Sequence, residues 1–125
     1  KTIAADNLVE NSRIQGEYLL AEIKTRAENY DWIGDVRGRG LLMAIEYANK
    51  KTKNPFPDEW QVGEAITQAA YDLGLIIYPK KSHDGTTGDH TLITPPLIIT
   101  REESDKLLDL LDQTFESYDK VIKNK

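Results

Sequence analysis

No cysteine occurs among the 125 residues, and that one absence removes disulfides, thiolate metal sites and cysteine nucleophiles together. It fits a reducing compartment, and we expect a cytoplasmic protein. Methionine occurs once, as Met43, and the chain opens on Lys1-Thr2, as expected of a processed chain or a piece of a longer one. Long hydrophobic runs are missing too. None approaches the roughly 18 apolar residues of a membrane span, and no secretory signal is recognisable, so no membrane partner is expected. Positive charge is in short supply: 16 Lys and Arg stand against 21 Asp and Glu, a net charge of −5. Nucleic-acid binders usually carry a basic face, so this balance argues against that class. Repeats, low-complexity tracts and linkers are absent as well.

What is present describes one folded domain, residues 1–125. Apolar residues make up 39% and charged residues 30%, and a chain of this length buries about two thirds of its unfolded surface. Gly16, Leu19, Leu20, Ile23 and Ala27 recur at helical spacing, predicting a first helix from about Thr2 to Ala27. Trp32 to Gly40 holds three glycines and reads as a short extended piece with a sharp turn. Leu41 to Tyr47 is a nearly continuous apolar run, as in a central strand covered on both faces.

After a loop from Asn49 to Pro57, Asp58 is the expected N-cap of a helix over Glu59 to Leu73, with Val62, Ile66, Ala69 or Ala70, and Leu73 on one face. Gly74 is expected at its C′ position. A strand over Leu75 to Tyr78 is closed by Pro79, and a polar loop from Lys80 to Asp89 precedes a second strand, His90 to Ile93. Thr100-Arg101-Glu102-Glu103 has the form of a capping box. The last helix carries Leu108, Leu111, Phe115, Tyr118 and Ile122 at spacings of three and four. The order α-β-β-α-β-β-α predicts an α+β domain: a small, mostly antiparallel sheet with helices packed on one side.

Self-contained chemistry is harder to find. Arg37-Gly38-Arg39-Gly40 could be an RNA contact, a phosphate loop or a tight backbone connection. A single copy in an acidic domain disfavours the first, and the spacing fails the dinucleotide and P-loop patterns. We read the glycines as a turn and keep Arg37 and Arg39 as an anion or interdomain contact. His83, Asp84, Asp89 and His90 sit in or beside one loop at spacings that match no helix face, which favours a solvated loop over a metal site. Glu102 and Glu103 belong to a helix first turn, where the dipole favours them.

Three segments in order carry a resemblance. They are Ile33-Gly34-Asp35-Val36-Arg37-Gly38-Arg39-Gly40-Leu41-Leu42-Met43-Ala44-Ile45-Glu46, then Gly74-Leu75-Ile76-Ile77-Tyr78-Pro79, then Gly88 through Thr100 with its Pro95-Pro96 pair. Together with the opening Asn7-Leu8-Val9-Glu10-Asn11, they resemble the C-terminal small domain of class III aminotransferases. The resemblance implies a fold-type I parent enzyme that moves an amino group from an amine or amino acid to a 2-oxo acid through pyridoxal phosphate (PLP). It also implies that the Schiff-base lysine and the cofactor-phosphate segment belong to a large domain of the same polypeptide. This segment alone is then expected to bind no cofactor and to be inactive, and the parent to be a homodimer.

In this family the small domain walls the substrate pocket, which implies wall roles for Tyr78, Lys80, Leu92 and Pro95. Diaminopelargonate aminotransferases resemble this chain but place an arginine where Tyr78 stands, and ornithine-type members place one where Leu92 stands. The chain has neither and looks closer to the ω-transaminase and β-alanine:pyruvate branch. A free-standing binding or regulatory module on the same fold is the alternative, since fold does not fix function.

Overall fold

The computed structural model describes residues 5–81 and 89–125. In chain order it holds α1 (Ala5–Ala27), β1 (Ile33–Arg39), β2 (Leu42–Tyr47), a 3₁₀ turn (Asp58–Trp60), α2 (Val62–Asp72), β3 (Tyr78–Lys81), β4 (Asp89–Ile93) and α3 (Arg101–Ile122). This is the expected α-β-β-α-β-β-α order. The four strands form one antiparallel sheet in the order β1-β2-β4-β3. The expected helix start at Thr2 lies outside the described residues.

Register decides what the sheet buries. Val36 pairs with Ile45 and Ile45 with Thr91, while Met43 pairs with Ile93. All five side chains are buried under the helices. The helices contribute Leu19, Ile23 and Ala27 from α1, Val62, Ile66 and Ala70 from α2, and Leu108, Leu111, Phe115 and Tyr118 from α3. Trp32 sits among Tyr30, Tyr47, Phe115 and Tyr118 with ring centroids 5.2–6.0 Å apart, and its indole N–H donates to Asp119 Oδ1 at 2.8 Å.

The capping box at α3 is as expected. Thr100 Oγ1 accepts from the Glu103 amide at 3.1 Å, and Glu103 Oε1 accepts from the Thr100 amide at 3.0 Å. Gly74, at φ +94°, closes α2. Its amide donates to the Tyr71 carbonyl and the Leu75 amide to the Ala70 carbonyl, the paired bonds of a Schellman motif.

Four expectations need correction. Leu75 to Ile77 lies outside the ladder, and the strand runs from Tyr78 to Lys81. The Leu75 amide is spent on the helix cap, and Pro79 is tolerated inside β3 because β3 is an edge strand. The second helix begins at Val62, not Glu59, and its N-cap residue is Gln61 in a left-handed conformation, not Asp58. The Phe56–Trp60 stack, at 5.4 Å, belongs to the 3₁₀ turn that precedes this reversal. Leu73, expected on the buried face of that helix, is exposed at its C-cap. Finally, β2 is covered on one face only: Leu42 is 57% exposed and Ala44 and Glu46 are half-buried. An antiparallel sheet with its helices on one side leaves the other side uncovered.

Candidate functional site

That uncovered side collects the residues singled out from the sequence. The hairpin turn at Gly40-Leu41 pairs Arg39 with Leu42, and counting back by twos pairs Arg37 with Ala44 and Asp35 with Glu46. The same face continues across the sheet, where Ala44 pairs with Leu92 and Leu92 with Tyr78, while Glu46 pairs with His90 and His90 with Lys80. Two cross-strand rows result. One reads Arg37, Ala44, Leu92, Tyr78; the other reads Asp35, Glu46, His90, Lys80. Because side chains alternate along each strand, both rows point away from the helices.

The two rows differ in chemistry. The first is apolar between an arginine and a phenol, and beside it lies a shallow hollow of ≈ 410 Å³ lined by Arg39, Leu42, Ala44 and Leu92 among others. The second is polar throughout. Arg37 ties the rows together: its Nη1 lies 2.9 Å from Asp35 Oδ2 and 3.5 Å from Glu46 Oε1. These groups are half-exposed, so the pairs orient the guanidinium more than they stabilise the fold. Arg39 has no ion-pair partner among the described residues.

Pro95 stands apart from the rows. It lines a second hollow, ≈ 280 Å³, with Ile76, Tyr78, Ile93, Thr94 and Leu107 among its neighbours. Tyr78, 52% exposed, lines this hollow as well, so it joins the open sheet face to the segment after β4. The structure thus brings Arg37, Arg39, Tyr78, Lys80 and Leu92 to one face and sets Pro95 at its margin.

The loop residues divide differently. His83 and Asp84 lie outside the described residues. Asp89 is buried, and its Oδ2 accepts from the Gly63 amide at 3.2 Å. A carboxylate at the first turn of α2 is favoured by the helix dipole. Asp89, expected in a solvated loop, is thus corrected to a buried residue of β4 that serves as a long-range cap for α2. His90 belongs to the polar row on the open face.

Sequence reading missed Asp35, Leu42, Ala44 and Glu46 as members of this face. Once Gly40-Leu41 is recognised as a two-residue hairpin turn, their placement against Arg37 and Arg39 is legible. Their adjacency to Leu92 and Tyr78 is not, since it depends on pairing between strands distant in the chain.

Lysine ammoniums that reach inward are committed to the main chain. Lys50 Nζ donates to the Ala27 carbonyl at 2.8 Å and Lys53 Nζ to the Gly34 carbonyl at 2.5 Å. No described helix is long and apolar enough to cross a membrane.

Comparison with known proteins gives a consistent result. The family model for aminotransferase class III matches residues 1–115. An aminotransferase of Schizosaccharomyces pombe is 39% identical over 114 residues, covering 90% of this chain and 25% of its own. A transaminase from a marine Virgibacillus superposes with a TM-score of 0.86 at 30% identity, over 94% of this chain and 26% of that one. An (S)-enantioselective ω-transaminase of Thermomicrobium roseum does so at 0.76 and 33%, over 90% and 24%. The chain therefore spans about a quarter of the length of the relatives it matches.

Proposed function

Since the chain belongs to the class III aminotransferases, we propose that it is the C-terminal small domain of a PLP-dependent transaminase and that its open sheet face walls the substrate pocket. The observation that supports this reading is the row Arg37, Ala44, Leu92, Tyr78, in which two of the four expected wall residues, Leu92 and Tyr78, pair side by side on the sheet face that the described helices leave open. In this reading the groups that anchor the cofactor belong to polypeptide outside these residues.

When bound, PLP supplies the electron sink for moving an amino group to a 2-oxo acid. The described residues fit the margin of such a site. Ala44, Leu92 and the Tyr78 ring offer an apolar surface that excludes water from one side. The Tyr78 hydroxyl offers a hydrogen bond at the rim. Arg37, held by Asp35 and Glu46, and Arg39 offer planar guanidiniums to a carboxylate of the substrate or of the facing domain. Lys80 adds a cation at the far end of the polar row. Pro95 fixes the chain where the wall turns away from the sheet.

With no arginine at 78 or 92, the wall presents apolar surface where a second substrate carboxylate would otherwise be held. That favours amine donors or short amino acids, in keeping with the ω-transaminase branch. A homodimeric parent enzyme in the cytoplasm is part of the same proposal.

Leu92→Arg in the cofactor-loaded enzyme tests it. A cation in the middle of the apolar row is expected to raise KM for an apolar amine donor by about tenfold or more, the equivalent of roughly 1.4 kcal/mol. Donors with a second carboxylate should lose less. Unchanged KM for every donor would remove Leu92 from the wall.

A further inference from the structure

Resting on the reading above, we infer that Asn11 is a positioning residue for the pocket wall: from α1 its side-chain amide clasps the segment that carries Pro95. Asn11 Nδ2 donates to two main-chain carbonyls far along the chain, Leu97 at 2.6 Å and Ile99 at 3.1 Å. A primary amide carries two hydrogens on one nitrogen, which is what two neighbouring carbonyls require; a hydroxyl offers one.

The segment at residues 94–99 needs such a hold. It links β4 to α3 and contains no helix or strand of its own. It turns on one main-chain bond, from the Ile99 amide to the Pro96 carbonyl at 3.0 Å. Ile99 is buried, yet Leu97 and Ile98 stand 51% and 63% exposed, so core packing anchors the segment at one end only. One helical turn further along α1, Gln15 secures the start of α3: its Oε1 accepts from Arg101 Nε at 3.3 Å and from Ser104 Oγ at 3.2 Å. Asn11 and Gln15 are four residues apart and share a helix face. Between them they fix residues 97–104 against α1, and with them the hollow that Pro95 and Tyr78 share.

The test reads the segment and the reaction separately. Asn11→Leu keeps the side-chain bulk and removes both donors. In this chain, hydrogen exchange at the Ile99 amide is expected to quicken roughly tenfold, while the α3 core amides of Leu111 and Phe115 keep their rates. Asn11→Asp should loosen the segment equally at neutral pH, where a carboxylate cannot donate. It should recover part of the protection, relative to the α3 amides, as pH falls below about 4 and the acid regains a donor. Asn11→Leu should show no such recovery. In the cofactor-loaded enzyme, Asn11→Leu is expected to raise the amino-donor KM several-fold and leave kcat within about twofold.

An unchanged Ile99 amide, or uniform quickening of all amides, overturns the clasp. A loosened segment with unaltered KM overturns the positioning role. If the cofactor-loaded enzyme moves no amino group at all, the transaminase reading fails and the positioning role with it. The exchange result still stands as a separate measurement.

Discussion

A Cβ built on Gly16 would lie 2.0 Å from the Gly40 carbonyl oxygen and 2.4 Å from its carbon, both rigid main chain. The N-terminal half of α1 therefore rests directly on the tip of the β1–β2 hairpin. Gly40, at φ +57°, makes that tip. Gly16→Ala must push the helix off the turn that aligns Arg37 and Arg39. We expect a loss of about 3 kcal/mol or more, read as a lower denaturant midpoint with an unchanged slope. At the same scale, the Tyr47 hydroxyl and Thr91 Oγ1 form a 2.8 Å pair inside the core.

Burial pushes the Tyr47 phenol above its ordinary value, and the Thr91 hydrogen bond only partly offsets this. Burial raises Tyr118 in the same direction. The sign follows: the folded state holds these protons more tightly than the unfolded state. Their contribution is complete below about pH 10 and drains away as the pH climbs from there toward the folded value. Denaturation followed above pH 10 should show stability falling with pH, and Tyr47→Phe should flatten the slope by up to about 1.4 kcal/mol per pH unit. An identical slope in the variant would place Tyr47 in water.

Among the elements, α2 shows most clearly where reading a sequence stops. Its C-terminus was legible because Gly74 sets a local geometry, and the start of α3 because Thr100 and Glu103 satisfy each other within four residues. The start of α2 was not legible. Its first-turn amide at Gly63 bonds to Asp89, 26 positions away, and no local pattern reports such a partner. For the same reason the sequence predicts β3 too early: Leu75 and Ile77 are buried and Ile76 is exposed, which is strand-like alternation, but pairing begins only at Tyr78. The proposed wall roles of Tyr78, Lys80 and Leu92 come from family resemblance, and the placement of these three on one face needs the β2–β4 and β3–β4 registers.

Asp89→Ala is expected to cost about 1–2 kcal/mol and to fray α2 from its N-terminal end. Exchange at Gly63 and Glu64 should rise before exchange at Ile66 or Ala70. Uniform loss along the helix would deny Asp89 its capping role.

For the molecule as a whole, the sheet is built to be half-covered. Three helices bury Val36, Met43, Ile45, Thr91 and Ile93 and leave the opposite rows in the open. Relatives in this family are about four times longer than the chain, and in the proposed function a further domain meets the open face. In the proposed function this face borders the substrate site, with Leu92 on the inner strand β4 and Tyr78 beside it on the edge strand β3. Hydroxyl-radical footprinting of this chain alone and of the cofactor-loaded full-length enzyme tests that placement. The prediction is strong labelling of Tyr78 and Leu92 in the chain alone and marked protection of both in the loaded enzyme, with Tyr71 on α2 as the reference. Equal labelling of Tyr78 and Leu92 in the two forms would contradict it.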